Sequence, residues 1–406
     1  MNVSKQMKFT PVVAGALLAM ACAQTPMQTT PGPGRTTGAI TPADLKARLY
    51  IYADDSMMGR EAGTIGNYKA TAYIAAEAAR IGLEPAGDGG TYFQNIRATS
   101  ARFAGSANPD YARNVVAILR GSDPVLKDEY VAIGAHNDHL GVRQTAVDHD
   151  SLRAYNLELT RLGAPVWDRS SRPRRDSLKS VIHINVDSLR KLRPARRDSI
   201  SNGADDDGSG TVTVLEIAEA LAAMPVKPKR SIIFVWHTAE EKGLLGSKWF
   251  TENPTVPRAQ IVAQLNADMV GRGGAGDIAG GGPDYLQLVG SRRVSTELGD
   301  IVEAVNASYP RPFKFDYQFD ANGHPERIYC RSDHYNYARY GIPITFFTTG
   351  LHPDYHQVTD EPQYIDYDHM TRIADFIRDI AVRVANLDHR PKVDKPVGDP
   401  AAACVQ

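Results

Sequence analysis

Short apolar runs separated by polar and glycine-rich breaks set the rhythm of this 406-residue chain. Residues 114–119, 130–135, 231–236, 261–267 and 343–347 are five such runs, rich in β-branched and other apolar residues. Uninterrupted apolar runs of this length predict strands buried on both faces, as in a parallel sheet covered by helices. Between them, apolar residues recur at helical spacing. Residues 67–81 predict a helix that Gly82 stops, and 211–224, 243–250, 296–307 and 371–385 predict four more. Alternating strand and helix signals predict an α/β fold with a central mixed, mostly parallel β-sheet flanked by helices.

Other segments fall outside this rhythm. Residues 143–201 are polar and rich in Arg, Asp and Ser, with an internal echo of RPRRDSL from Arg172 and RPARRDSI from Arg193. This insertion after the first strand of the site reads either as a solvated surface excursion or as a lid. Near the start, Lys5 and Lys8 precede an apolar run over 12–21 and the small residues Ala21-Cys22-Ala23. That order predicts a secretory signal over 1–23, too short to span a bilayer comfortably. Export to the periplasm or the medium is therefore expected, the alternative to a cleaved signal being an uncleaved anchor, and lipidation at Cys22 would tie the exported protein to a membrane. Residues 24–39 read as a disordered Pro/Thr/Gly linker and 390–406 as a flexible tail, leaving 40–389 as the folded domain.

Composition mainly excludes. At 42% hydrophobic, 23% charged and net charge −1, the chain can bury a large core and has no electrostatic case for a nucleic-acid partner. The cysteines are Cys22, Cys330 and Cys404, the last in a Pro/Ala-rich tail, so no disulfide framework and no Cys330–Cys404 bridge is expected.

Candidate chemistry lies at the C-terminal ends of predicted strands and in the loops after them, where open α/β sheets form ligand sites. In GAHNDHLG, His136 closes a strand and Asp138 can orient its ring. In SNGADDDGSG, Asp205, Asp206 and Asp207 precede a helix; capping uses one or two acids, and three adjacent carboxylates repel unless cations neutralise them. A calcium loop would need further spaced ligands, which are missing. In FVWHTAEEKGLLGS, Glu240 and Glu241 diverge, so one can bind metal and the other act as general base, although paired acids also commonly open helices. Asp268 of LNADMVGR leaves an apolar strand, where a carboxylate is costly to bury unless paired or metal-bound. GLHPDYHQVTDEP offers His352 or His356, and RSDHYNYARYGIP offers Asp333 and His334 as supporting groups.

Together and in this order, these pieces resemble the co-catalytic zinc exopeptidases, which include secreted bacterial leucyl aminopeptidases and glutamate carboxypeptidase. The resemblance covers roughly residues 44–386, including GREAG and GLEPAGD upstream of the first site strand. It implies two zinc ions, one completed by His136 and Asp268, the other by Glu241 and His356, with Asp206 bridging both. It further implies Asp138 as the group orienting His136 and Glu240 as general base for a zinc-activated water. The DYH segment followed by Thr-Asp selects His356 over His352. The implied activity is an aminopeptidase removing N-terminal residues from peptides. The alternative is a carboxypeptidase of the same fold that reads the substrate carboxylate with Arg272 or Arg331; a glutaminyl cyclase, which resembles this family but works with one zinc, is the less favoured reading. A non-catalytic receptor-like binding protein, as in the transferrin-receptor branch, has lost metal ligands, whereas the full set stands here. Two features depart from better-known members: the 143–201 insertion, and Cys330 without a close cysteine partner where some relatives carry a pair.

Overall fold

The computed structural model describes residues 36–96, 112–274, 277–278 and 280–406. The expected signal over 1–23 and most of the linker lie outside the described residues. The chain enters through helix α1 (Pro42–Tyr52), whose N-cap Thr41 accepts the Asp44 N–H. Helix α2 (Ile65–Ile81) ends where the sequence predicts, on Gly82 in the left-handed region. Strands β1 (Glu84–Pro85), β2 (Phe93–Asn95), β3 (Arg113–Leu119), β4 (Tyr130–His136) and β5 (Gly141–Asp148) follow. Next come α3 (His149–Arg161), α4 (Arg172–Leu178), α5 (Val186–Leu192), β6 (Arg197–Ser201), α6 (Gly210–Ala223), β7 (Ser231–His237), α7 (Leu245–Glu252) and β8 (Ile261–Ala267). The chain closes with β9 (Tyr285–Val289), α8 (Thr296–Ala307), β10 (Lys314–Asp316), α9 (His334–Ala338), β11 (Ile344–Thr348) and α10 (Tyr367–Ala385).

One nine-stranded sheet runs in the order β1-β3-β7-β4-β8-β11-β9-β10, with β2 also paired to β3. Its middle strands β7, β4, β8 and β11 are mutually parallel, while β3 and β9 run antiparallel to their inner neighbours. The expected mixed sheet is therefore parallel at its centre, where the site forms, and turns over toward its edges. Because side chains alternate across a strand, each apolar run feeds two cores. Val115, Ala117, Ile133 and Phe234 pack with Ile74 of α2, Leu215 of α6 and Ile377 of α10. Val116, Ile118, Ala132 and Val235 pack on the other face with Phe250 of α7 and Tyr337 of α9. Helix α10 buries Ile373, Ile377, Ile380 and Val384, a stripe at three- and four-residue spacing. Helix α1 is tied in by charge: buried Arg48 pairs with Glu77 of α2 at 2.5 Å and with Glu216 and Glu219 of α6.

The polar insertion is folded. Strands β5 and β6 form an antiparallel ribbon carrying α3, α4 and α5. It is fastened to the loop between β11 and α10 by Arg153 to Asp354 (3.3 Å) and by Arg196 and His149 to Glu361 (2.8 and 3.4 Å). The tail, expected to be flexible, is tied at several points: Asp394 accepts the Thr296 N–H, and the Gln406 side chain donates to the Phe319 and Ala321 carbonyls. A disulfide joins Cys330 to Cys404, contrary to expectation. The tail doubles back over the body, so a sequence separation of 74 hides a close approach. No helix among the described residues is long and apolar enough to cross a membrane.

Candidate metal centre

The C-terminal ends of the four parallel strands converge with the start of α6. His136 closes β4, Glu240 and Glu241 follow β7, Asp268 follows β8, and His356 lies in the loop after β11. Asp206 sits on the turn Ala204–Ser209 that leads into α6. Two glycines make this crowding feasible. A Cβ on Gly203, which has φ +53, would lie 2.2 Å from the Asp206 carbonyl and 2.5 Å from the His139 ring. A Cβ on Gly210 would lie 2.2 Å from the Ala267 carbonyl, so only glycine lets α6 begin against the end of β8.

Asp206 is the hub. Its Oδ1 lies 3.1 Å from His136 Nε2, and its Oδ2 lies 3.0 Å from His356 Nε2 and 3.8 Å from His139 Nδ1. His136 Nε2 is 3.7 Å from Asp268 Oδ1. Glu241 spans two rings, with Oε2 3.1 Å from His356 Nε2 and Oε1 2.8 Å from His139 Nδ1. Two donor sets result, His136/Asp206/Asp268 and His139/Asp206/Glu241, each with donor atoms within 4.8 Å of one another and Asp206 in common. The five residues expected as ligands, His136, Asp206, Glu241, Asp268 and His356, come together here. His139, three residues beyond His136 in the same GAHNDHLG motif, joins them and was not singled out by sequence reasoning.

The Asp triplet divides its labour. Asp207 accepts the backbone N–H groups of His136, Gly210 and Met269, and Asp205 accepts that of Gly271 while its other oxygen lies 3.2 Å from His352 Nε2. Backbone donors thus partner the outer two carboxylates, and of the three only Asp206 faces the cavity. His352 is fully buried behind Asp205, away from the hub, which separates it from His356.

Supporting contacts differ in detail from expectation. His136 Nδ1 lies 3.1 Å from the Asp138 carbonyl and 3.8 Å from its carboxylate, whose Oδ1 instead accepts the Glu240 N–H. Asp138 therefore restrains His136 through its backbone and the Glu240 main chain through its side chain. Ser332, which the sequence did not flag, donates to Asp268 Oδ2 at 2.6 Å. Asp333 pairs with His237 at 3.4 Å, and His334 stacks on Phe346 at 4.7 Å, so neither reaches the hub.

Burial dominates the electrostatics. It pushes the Glu240 carboxyl well above its ordinary value, with Glu241 and Asp268 adding to the shift despite His136. Burial also lifts Asp138, to about 7. Burial works against charge on His356, yet Glu241 and Asp206 raise it to about 10. His136 is likewise raised well above its usual value by Asp268 and Asp206 despite burial. In Asp206 the order of effects reverses: burial pushes up, but the His136 and His356 rings hold it well below the carboxylate range. A carboxylate field that favours charge on the buried His136 ring and on the half-buried His356 ring is one that divalent cations would neutralise. Asp206 Oδ2, Glu241 Oε1 and both His139 ring nitrogens are buried with no hydrogen-bond partner among the described residues. Such orphans are rare in folded proteins, and this donor set of His nitrogens and carboxylate oxygens suits zinc.

The hub opens onto a cavity of about 350 Å³. His136, Asp206, Glu240, Glu241, Asp268 and His356 form one wall, and Met269, Phe319, Ile328, Phe346 and Leu351 form an apolar one. Arg169 of the insertion lines the same cavity, and Trp167 packs against its apolar cluster. Of the two arginines considered for a substrate carboxylate, Arg272 is engaged by Asp277 (2.6 Å) and Asp354 (2.8 Å) outside the cavity lining. Arg331 lines the cavity, pairs with Glu326 at 2.9 Å and donates to the Tyr355 hydroxyl.

Comparison with known proteins agrees with this architecture. Residues 175–381, just over half of the chain, match peptidase family M28. That stretch carries Asp206, Glu241, Asp268 and His356 but not the strand of His136. Leucine aminopeptidase 1 of Aspergillus fumigatus is 28% identical over 242 residues, covering 56% of this chain and 58% of that protein. Leucine aminopeptidase 1 of Paracoccidioides brasiliensis is 29% identical over 214 residues, covering 50% and 52%. The chain thus spans little more than half the length of these relatives. Among solved structures, the LapA aminopeptidase of Legionella pneumophila aligns with a TM-score of 0.55 at 17% identity, covering 86% of this chain and 71% of that one. The glutaminyl cyclase of Porphyromonas gingivalis gives 0.55 at 18% identity, covering 84% and 97%. BSAP, a zinc aminopeptidase from Bacillus subtilis, gives 0.53 at 14% identity, covering 86% and 95%. At such identities the structural likeness speaks for the fold alone; the sequence match speaks for descent, and by it the chain belongs to peptidase family M28.

Proposed function

We propose that this protein is a zinc-dependent aminopeptidase that hydrolyses N-terminal residues from peptides at a two-zinc centre. The observation that carries the reading is Asp206, whose two oxygens face two separate groups of buried donors. His136, Asp206 and Asp268 would hold one zinc, and Asp206, Glu241 and His356 the other. Zinc bound at these positions supplies Lewis acidity, lowering the pKa of water and polarising a carbonyl.

The protein's own groups do the rest. Glu240 lines the cavity beside Glu241, and its backbone is fixed by Asp138. A buried carboxylate there takes the proton of the attacking water and passes it to the departing amine. Arg331 donates to the Tyr355 oxygen, which leaves the hydroxyl hydrogen available to a substrate carbonyl. Ser332 holds Asp268, and the Asp138 carbonyl holds His136. The acidic wall suits a protonated α-amino group, and the apolar wall suits an apolar first side chain. The export expected from residues 1–23 would place this activity in the periplasm or the medium.

Arg169 on the cavity lining favours a second reading, a carboxypeptidase that grips the substrate carboxylate. Leucyl anilide, its N-acetyl analogue and an N-blocked dipeptide with a free carboxylate separate the two, each assayed with and without chelator. Chelator-sensitive cleavage of the free-amine substrate alone supports the aminopeptidase. Cleavage of the N-blocked dipeptide alone transfers the assignment to the carboxypeptidase.

A further inference from the structure

We propose that His139 is a further protein ligand of the second metal position, so that the two positions are unequal. This rests on the two-zinc reading above and deepens it. The His139 ring is fully buried, with Nδ1 2.8 Å from Glu241 Oε1 and 3.8 Å from Asp206 Oδ2. At 2.8 Å an imidazole and a carboxylate would ordinarily share a hydrogen bond, yet both ring nitrogens and Glu241 Oε1 lack one with acceptable alignment. Atoms that close, without hydrogen-bond direction, face a common point rather than each other.

The spacing fits that point being a cation. Zinc bonds of about 2.0–2.1 Å with inter-ligand angles between square and tetrahedral put neighbouring donors roughly 2.9–3.4 Å apart. Around the second position three donor separations are 2.8, 3.0 and 3.1 Å, close to that range, and the fourth, His139 Nδ1 to Asp206 Oδ2, is wider at 3.8 Å. His237 Nδ1, His352 Nε2 and both His334 nitrogens also lack a hydrogen bond, but none of these rings touches Asp206 or Glu241. His237 lies against Asp333 and Tyr337, His352 against Asp205, and His369 against the carbonyls of Arg272 and Tyr285. His334 is buried against Phe346, with burial pushing its pKa down to about 3. His139 alone among these adjoins two carboxylates of the hub without a hydrogen bond. The fold also fixes its position, through its N–H to the Arg60 carbonyl and through the missing Cβ of Gly203 beside its ring.

The second position then has His139, Asp206, Glu241 and His356, and the first only His136, Asp206 and Asp268. Four protein ligands close a zinc site, whereas three leave a place for water or substrate. The second position would therefore hold its metal more tightly than the first.

The test reads metal rather than activity. Full-length protein carrying labelled histidine is loaded with an NMR-active cadmium isotope, and cadmium–nitrogen couplings are counted. Three coupled histidines are expected, and the one lost in His139→Gln identifies His139; two metals with only two coupled histidines overturn the proposal. In chelator competition, wild-type protein should release its metals in two steps, and His139→Gln should weaken the tighter step at least tenfold while sparing the other. Unchanged affinities at both steps overturn it. A wild-type protein that takes up no metal overturns the zinc reading itself, which separates the two failures.

Discussion

A carboxylate that ends an apolar strand is costly to bury alone, and each acid of this site meets that cost differently. Asp207 accepts three backbone N–H groups, Asp268 accepts Ser332, and Asp206 faces rings and unpartnered donors. In the sequence, three adjacent aspartates look alike; the backbone donors that distinguish them come from β4, α6 and the end of β8 and have no local signature. The strand-end acids and His136 were legible because such residues seldom close apolar runs without cause. His356 was legible only through resemblance, since HPDYH offers two equal candidates. His139 was overlooked because a second histidine in a short polar loop has no diagnostic spacing. One residue away from the hub yields a pH prediction. Burial lowers His334 to about 3 against the nearby Asp333 charge and the Tyr329 backbone. The unfolded ring titrates near 6.5, so below that the unfolded chain binds the extra proton and the folded one does not. The stability present above about pH 6.5 therefore falls as pH drops toward 3, by roughly 2 kcal/mol at pH 5. Urea unfolding of the wild type and His334→Phe should diverge by that amount between pH 7 and 5, and parallel curves would exclude the effect.

At the scale of elements, the central strands were legible because burial on both faces writes itself as unbroken apolar sequence. β4, β7, β8 and β11 appear within a residue or so of expectation. Edge strands β1, β2 and β10 are two or three residues long and leave no periodicity to read. The insertion looked irregular because its longest helix, α3, buries His149, Asp150, Asn156 and Leu159, of which only the last is apolar. Helix α1 escaped notice for a related reason: its deepest anchor is the guanidinium of Arg48, between α2 and α6. Arg48→Ala would strand Glu77 and Glu216 in the interior. We expect it to cost about 3–5 kcal/mol in denaturant unfolding, far above the change expected from an exposed residue. A loss below about 1 kcal/mol would mean that the cluster is not holding α1 in place.

For the whole molecule, the tail closes a long circuit. Cys330 lines the cavity wall, and Cys404 brings the last residues against it. Closing a loop of 74 residues restricts the unfolded chain by up to about 4 kcal/mol in the loop-entropy view. Cys404→Ser should therefore lower stability by about 2–4 kcal/mol, and a reductant should destabilise the wild type but not the variant. Equal stability of oxidised and reduced wild type would contradict this. The circuit could not be read from composition, which counts cysteines without placing them.

In the proposed reaction a pair of zinc ions and the Glu240 carboxylate act as separate parts of one hydrolytic centre. The most direct measurement is zinc per chain by elemental analysis, alongside leucyl-anilide turnover, for the wild type and Glu240→Gln. Two zinc ions per chain are expected in both proteins, with a loss of turnover of about a hundredfold or more in the variant. Near-wild-type turnover in Glu240→Gln, or an active wild type that binds no zinc, would contradict it.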